Sequence, residues 1–160
     1  MNERGPQIPN PQLEWEWNEF AQLNSRQLYQ ILQLRQQVFI IEQHCAYNDI
    51  DNLDQVAFHL CGTDSANHSL QAYLRVLPPG AQFEESSIGR VVTTTDCRNC
   101  GLGHELMRRG VAFCRGRFRG SAIRISAQAH LQQFYASHGF VTVTAEHPID
   151  GIPHVEMLLL

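Results

Sequence analysis

The chain has 160 residues, 43% of them hydrophobic, which is enough for one buried core and excludes a disordered polymer. A formal charge of −4 gives no footprint for nucleic acid as the main partner, and no apolar run approaches the ~20 residues that span a bilayer. Five cysteines, an odd count at irregular spacing, argue against a secreted disulfide framework.

In chain order, the first segment MNERGPQIPNPQ lacks the apolar stretch of a signal peptide and reads as a flexible tail over residues 1–12. A cytoplasmic protein with a single domain over residues 13–160 is the expectation. LEWEWNEF, from Leu13, alternates as a strand does. Ser25 is placed as the N-cap of a helix whose apolar face runs from Leu28 through Ile31, Leu32, Leu34 and Val38 to Phe39. The period is lost over Ile40 to Asp54, where acids and asparagines predict an irregular segment. VAFHLCG and LQAYLRVL follow as strands, the second ending at Pro78, Pro79 and Gly80. SIGRVVTT, from Ser87, is β-branched and apolar, as a central strand should be. Leu102, Leu106, Met107, Val111 and Cys114 recur at helical spacing, with Gly116 as the expected stop. AIRISAQA reads as a strand, AHLQQFYASH as a short helix, FVTVTAE as a strand, and IPHVEMLLL as a last strand after the turn DGIP. The sum is α/β with a mixed sheet and one βαβ unit from Ser87 to Ala127.

Between strand and helix of that unit lies CRNCGLGHEL, Cys97 to Leu106. A helix start offers unpaired N–H groups and the positive end of the helix dipole, and so attracts anions. Gly101 and Gly103 let a phosphate approach the backbone, and Arg98 adds charge. The competing metal or redox reading of Cys97 and Cys100 needs further ligands, for which only Cys61, Cys114 and scattered histidines stand ready. No metal is therefore expected, and the two cysteines read as small residues flanking a turn.

The RxxGxG of Arg98 to Gly103, after a β-branched strand, resembles the acetyl-coenzyme A (acetyl-CoA) signature of the GNAT N-acetyltransferases. The YxxxGF of Tyr135, Gly139 and Phe140 is similar to that superfamily's second motif. LRQQVFIIEQHCAYNDID from Leu34, IGRVV from Ile88, AQAHLQQFYASHGF from Ala127 and DGIPHVEM from Asp150 resemble the ElaA-like subgroup. The resemblance implies a GNAT fold with a central splayed sheet flanked by helices. It implies that Arg98, Asn99, Cys100, Gly101, Leu102, Gly103 and His104 hold the cofactor's pyrophosphate. Val91, Val92 and Thr93 would lie along its pantetheine arm. Gln128 stands where many GNAT sequences have an asparagine that bonds the same arm. Tyr135 would be the general acid that protonates the leaving thiolate.

For the general base the candidates are Glu42, His130 and His154, each in a subgroup-like block. Tyr47, Asp49 and Asp51 are candidates for an acidic acceptor rim, with Glu42, His130 and His154 also facing the acceptor. The arginine cluster Arg108, Arg109, Arg115, Arg117 and Arg119 offers a partner for the 3′-phosphate, or else a solvated helix face. The expected partners are acetyl-CoA and a primary amine, with neither nucleic acid nor membrane and with room for a homodimer. The alternative function is a non-catalytic acyl-CoA-binding sensor.

Overall fold

The structure, a computed structural model, describes residues 12–160; the expected tail lies, but for Gln12, outside the described residues. Its strands are β1 Leu13–Glu19, β2 Phe58–Asp64, β3 Leu70–Leu77, β4 Ser86–Thr93, β5 Ile123–Gln128, β6 Val141–Thr142, β7 His147–Ile149 and β8 Ile152–Leu159. The α-helices are α1 Ser25–Arg35, α2 Leu102–Arg117 and α3 Gln132–Ala136. The strands form one mixed sheet in the order β1-β2-β3-β4-β5-β8-β6, and β7 also pairs with β8.

Period-two alternation divides the strand side chains between two cores. Leu60, Ala72, Leu74 and Val76 pack with Leu106 and Met107 of α2 on one face. Cys61 and Tyr73, their neighbours in sequence, pack with Ile31 and Leu34 of α1 on the other. Each face of the sheet is thus closed by a helix.

Several boundaries differ from those expected. Asn24, not Ser25, caps α1: its Oδ1 accepts from the Gln27 N–H at 2.9 Å, while Gln27 Oε1 accepts from the Asn24 N–H at 3.0 Å. The pair forms a capping box, which the single-residue reading missed. Helical winding does not stop at Ile40 either, since α1 continues into a π-helical turn, Gln36–Glu42. Gly116 does not end α2, which runs on to Arg117. The expected strand FVTVTAE is broken after Thr142. There Thr144 Oγ1 accepts from the Glu156 N–H at 2.9 Å, so a side chain takes a place in the ladder. Pairing with β8 then resumes at β7.

The feature that positions the site is the separation of β4 from β5. They pair in parallel only at Ser86 with Ile123 and Ser87 with Arg124. Beyond that point β5 stays with β8, whereas β4 bends away. The bend is a β-bulge: Tyr73 faces Val92 and Arg75 faces Gly89, so Leu74 alone spans Arg90 and Val91. Arg90 takes φ of 53°, a left-handed conformation that a non-glycine residue holds only under constraint. The splay expected from the resemblance is present.

Candidate active site

Two cavities open where β4 and β5 part, and they share Val91, Leu131 and Tyr135. The smaller, about 150 Å³, runs along Val91, Val92 and Thr93 toward Gly103 and Phe134. The larger, about 240 Å³, is walled by Phe39 and Gln43 of the π turn and its end, by Cys45 and Tyr47, by Arg90, and by Ser126 and Gln128 of β5. Its remaining wall is the β7–β8 hairpin, with Ile149, Asp150, Ile152 and His154.

At the end of the smaller cavity the chain turns into α2. The backbone N–H groups from Asn99 to His104 find no protein acceptor among the described residues. Asn99 and Gly101 take φ of 60° and 82°, which curls these donors into a concave nest. A Cβ on Gly101 would meet nothing within 4 Å, so glycine serves the backbone conformation there. The arrangement fits a pyrophosphate: free donors, a helix dipole and no side chain in the way.

Cys100 Sγ donates to the Cys97 carbonyl at 2.7 Å, and the buried Cys97 Sγ bonds Gln71 Oε1 at 3.3 Å. Both thiols are thus engaged, Cys100 within the turn and Cys97 with β3. Among the described residues no group of three or more His, Cys, Asp or Glu side chains gathers closely enough to hold a metal ion. Burial pushes the Cys61 and Cys114 thiols up to about 12, so neither is a thiolate at neutral pH.

Tyr135 stands where the cavities meet. Its ring packs edge-on to Phe134 at 5.0 Å and Phe140 at 6.3 Å. Its hydroxyl has no protein partner among the described residues and is not sealed off from the cavity. Burial pushes the phenol up to about 12, which keeps the proton on it.

Known proteins share this architecture. Residues 44–160 match the model of the acetyltransferase (GNAT) domain. The chain belongs to the GNAT acetyltransferase family. Escherichia coli protein ElaA is 39% identical over 147 residues, 91% of this chain and 95% of that protein. The ElaA crystal structure superposes with a TM-score of 0.85 at 37% identity, covering 92% of this chain and 99% of that one. An acyl-CoA N-acyltransferase from Pseudomonas aeruginosa superposes with a TM-score of 0.87 at 40% identity, with the same coverage.

In this GNAT protein the residues singled out from the sequence fall into three groups. Val91, Val92, Thr93, Gly103 and Tyr135 line the smaller cavity, and Tyr47, Gln128, His154 and Tyr135 line the larger. Gln128 Nε2 donates to Gln43 Oε1 at 2.9 Å, across the gap. His154 Nδ1 lies 2.7 Å from the Ile152 carbonyl oxygen. A carbonyl only accepts, so Nδ1 carries hydrogen and the neutral ring keeps its lone pair on Nε2.

A second group stands off the cavities. His130 is exposed and lines neither. Glu42 also lines neither; its Oε2 accepts from Arg98 at 2.7 Å and its Oε1 from Thr95 at 3.2 Å. The Arg98 bond holds the Glu42 carboxyl below its ordinary value, the wrong direction for a base. Arg109 pairs with Glu105 at 2.7 Å and lies over the Trp15 ring, while Arg108 pairs with the same glutamate.

The third group is a charge network, buried at Arg35, Asp49, Asp54 and Arg75 and half-buried at Asp51 and Arg90. Arg35 donates to Asp49 at 2.8 Å and Asp54 at 2.7 Å, Arg75 to Asp51 and Asp54, and Arg90 to Asp49 at 2.7 Å. Asp49 and Asp51 therefore face three arginines rather than forming an acidic rim. The arginines come from α1, β3 and the β4 bulge, so no local sequence pattern links them. Sequence reasoning missed them. The available signal was an arginine within the apolar face of α1 and another within the alternating run of β3.

Proposed function

We propose that this protein is an N-acetyltransferase that moves the acetyl group of acetyl-CoA to a primary amine. The observation that carries the reading is the Tyr135 hydroxyl, free of partners among the described residues at the junction of two cavities, one leading to an anion cradle and one lined in part by polar side chains. When bound, acetyl-CoA supplies an activated thioester carbonyl.

The N–H groups from Asn99 to His104 hold the pyrophosphate, and Arg98 adds charge once it exchanges Glu42 for phosphate. The unpaired β4 edge over Val91, Val92 and Thr93 bonds the pantetheine arm, and an N–H there stabilises charge developing on the carbonyl oxygen. His154 is the base we favour over His130 and Glu42, because it lines the cavity with Nε2 free to take the amine's proton. Tyr135 holds its proton until the sulfur departs and then gives it up.

Release of coenzyme A thiol, followed with acetyl-CoA and a panel of primary amines, tests the reading. Tyr135→Phe is expected to slow turnover about a hundredfold while acetyl-CoA affinity stays near wild type. Equal turnover in the variant would remove Tyr135 from the mechanism. Tight acetyl-CoA binding without turnover on any amine would favour the sensor reading instead.

A further inference from the structure

The larger cavity holds a charge to which acyl transfer assigns no role. Two of its lining residues carry ionic side chains, Arg90 and Asp150. Arg90 is already occupied: its Nε donates to Asp49 Oδ1 at 2.7 Å, and its NH2 group to the Asp49 carbonyl at 3.1 Å and Asp51 Oδ2 at 3.3 Å. Asp150 makes no ion pair and no side-chain hydrogen bond among the described residues. The ionic side chain left unpaired at the cavity rim is therefore the exposed carboxylate of Asp150.

Turn chemistry explains part of this. Asp150 and Gly151 are the two residues of the β7–β8 hairpin loop, closed by Ile149 opposite Ile152. Both have positive φ, 48° and 79°, the loop for which Asp-Gly is favoured. Turn formation accounts for the residue type and not for its position. Cys45 Sγ donates to the Asp150 carbonyl at 3.6 Å, and this contact tucks the hairpin tip against the loop that follows the π turn. The acid is thereby carried to the cavity wall, which Phe39 and Tyr47 also line, the Tyr47 ring already lying under the Arg90 guanidinium at 5.5 Å. An unpaired carboxylate on the wall of a cavity is a setting for a cationic hydrogen-bond donor.

We propose that Asp150 is a specificity residue that binds a second, cationic group of the acceptor, so that the preferred substrate is a diamine rather than a monoamine or an amino acid. From His154 to Asp150 the hairpin reaches at most about 13 Å, which suits a flexible alkyl chain between the two nitrogens. The inference rests on the acetyltransferase reading and narrows its acceptor class.

The test compares kcat/KM for hexamethylenediamine, hexylamine and aminocaproate in the wild type, Asp150→Asn and Asp150→Glu. The wild type is expected to prefer the diamine to the monoamine about tenfold or more, the contribution of one charge-assisted hydrogen bond. Aminocaproate, whose far group is anionic, is expected to be the poorest of the three. Asp150→Asn keeps a turn-forming residue before Gly151 and is expected to erase the diamine preference through KM, with Asp150→Glu restoring part of it. Equal use of diamine and monoamine by the wild type, faster use of aminocaproate, or an unchanged diamine KM in Asp150→Asn would overturn the inference and leave the acetyltransferase reading standing. Absence of turnover with every primary amine would overturn both.

Discussion

Arg35 is completely buried, yet it carries a full charge between Asp49 and Asp54. Replacing it with alanine leaves Asp49 with Arg90 alone and Asp54 with Arg75 alone, a loss of about 3 kcal/mol. Urea unfolding of Arg35→Ala should show that loss as a lower midpoint. Arg35→Met removes the same charge but restores bulk, so similar destabilisation would assign the effect to electrostatics rather than packing. Tyr135 calls for a different experiment. With its phenol pushed up to about 12, the acid stays protonated well past neutrality, because a raised value moves deprotonation to higher pH. The kcat profile should therefore show no falling alkaline limb up to about pH 10. A decline near pH 8 would assign the proton to another group.

At the scale of elements, the site is made by two departures from regular structure. The bulge at Arg90 and Val91 peels β4 from β5, and the π turn after α1 carries Phe39 to the gap so opened. A regular β4 would keep its partner and close both cavities. The loop before α2 departs in the same manner, through positive φ at Asn99 and Gly101. Gly101→Ala has space for its methyl group and only backbone strain against it, about 1 kcal/mol. Such a variant should fold, with a slightly lower Tm, and should bind acetyl-CoA more weakly in calorimetric titration. Unchanged affinity would mean that the nest does not hold the phosphates.

Over the whole molecule, the buried Arg35 and Arg75, the half-buried Arg90 and three aspartates tie α1, β3, β4 and the loop between Tyr47 and Asp54 into one body. Burial alone would raise the carboxyls of Asp51 and Asp54. Hydrogen bonds and charge from Arg75 and Arg35 outweigh it, so Asp51 comes down to about 2 and Asp54 also lies below its ordinary value. A lowered value means that the stabilisation is complete above the unfolded value of about 4 and is lost as pH falls through the folded one. Tm should accordingly hold between about pH 5 and 7 and fall steeply toward pH 2. Asp51→Asn should be less stable at neutral pH and lose less on acidification. Saturating acetyl-CoA should raise the neutral Tm by several degrees, as roughly 2.7 kcal/mol at a hundredfold excess over Kd implies.

Local chemistry was legible without coordinates wherever the determining residues adjoin one another. Alternation placed β1 and β3, helical spacing placed α1 and α2, and glycines beside Arg98 marked the turn into α2. The same holds for the family, since its motifs are short and contiguous. The partners of charged groups were not legible, because Asp49, Asp51 and Asp54 meet arginines 14 to 41 residues away. Nor was the difference between His154 and His130. Both are histidines near a strand end, and only the β7–β8 hairpin, folded against Cys45, turns one of them to the cavity. Backbone form follows from neighbours in the chain, whereas burial and charge pairing depend on what the sheet brings alongside.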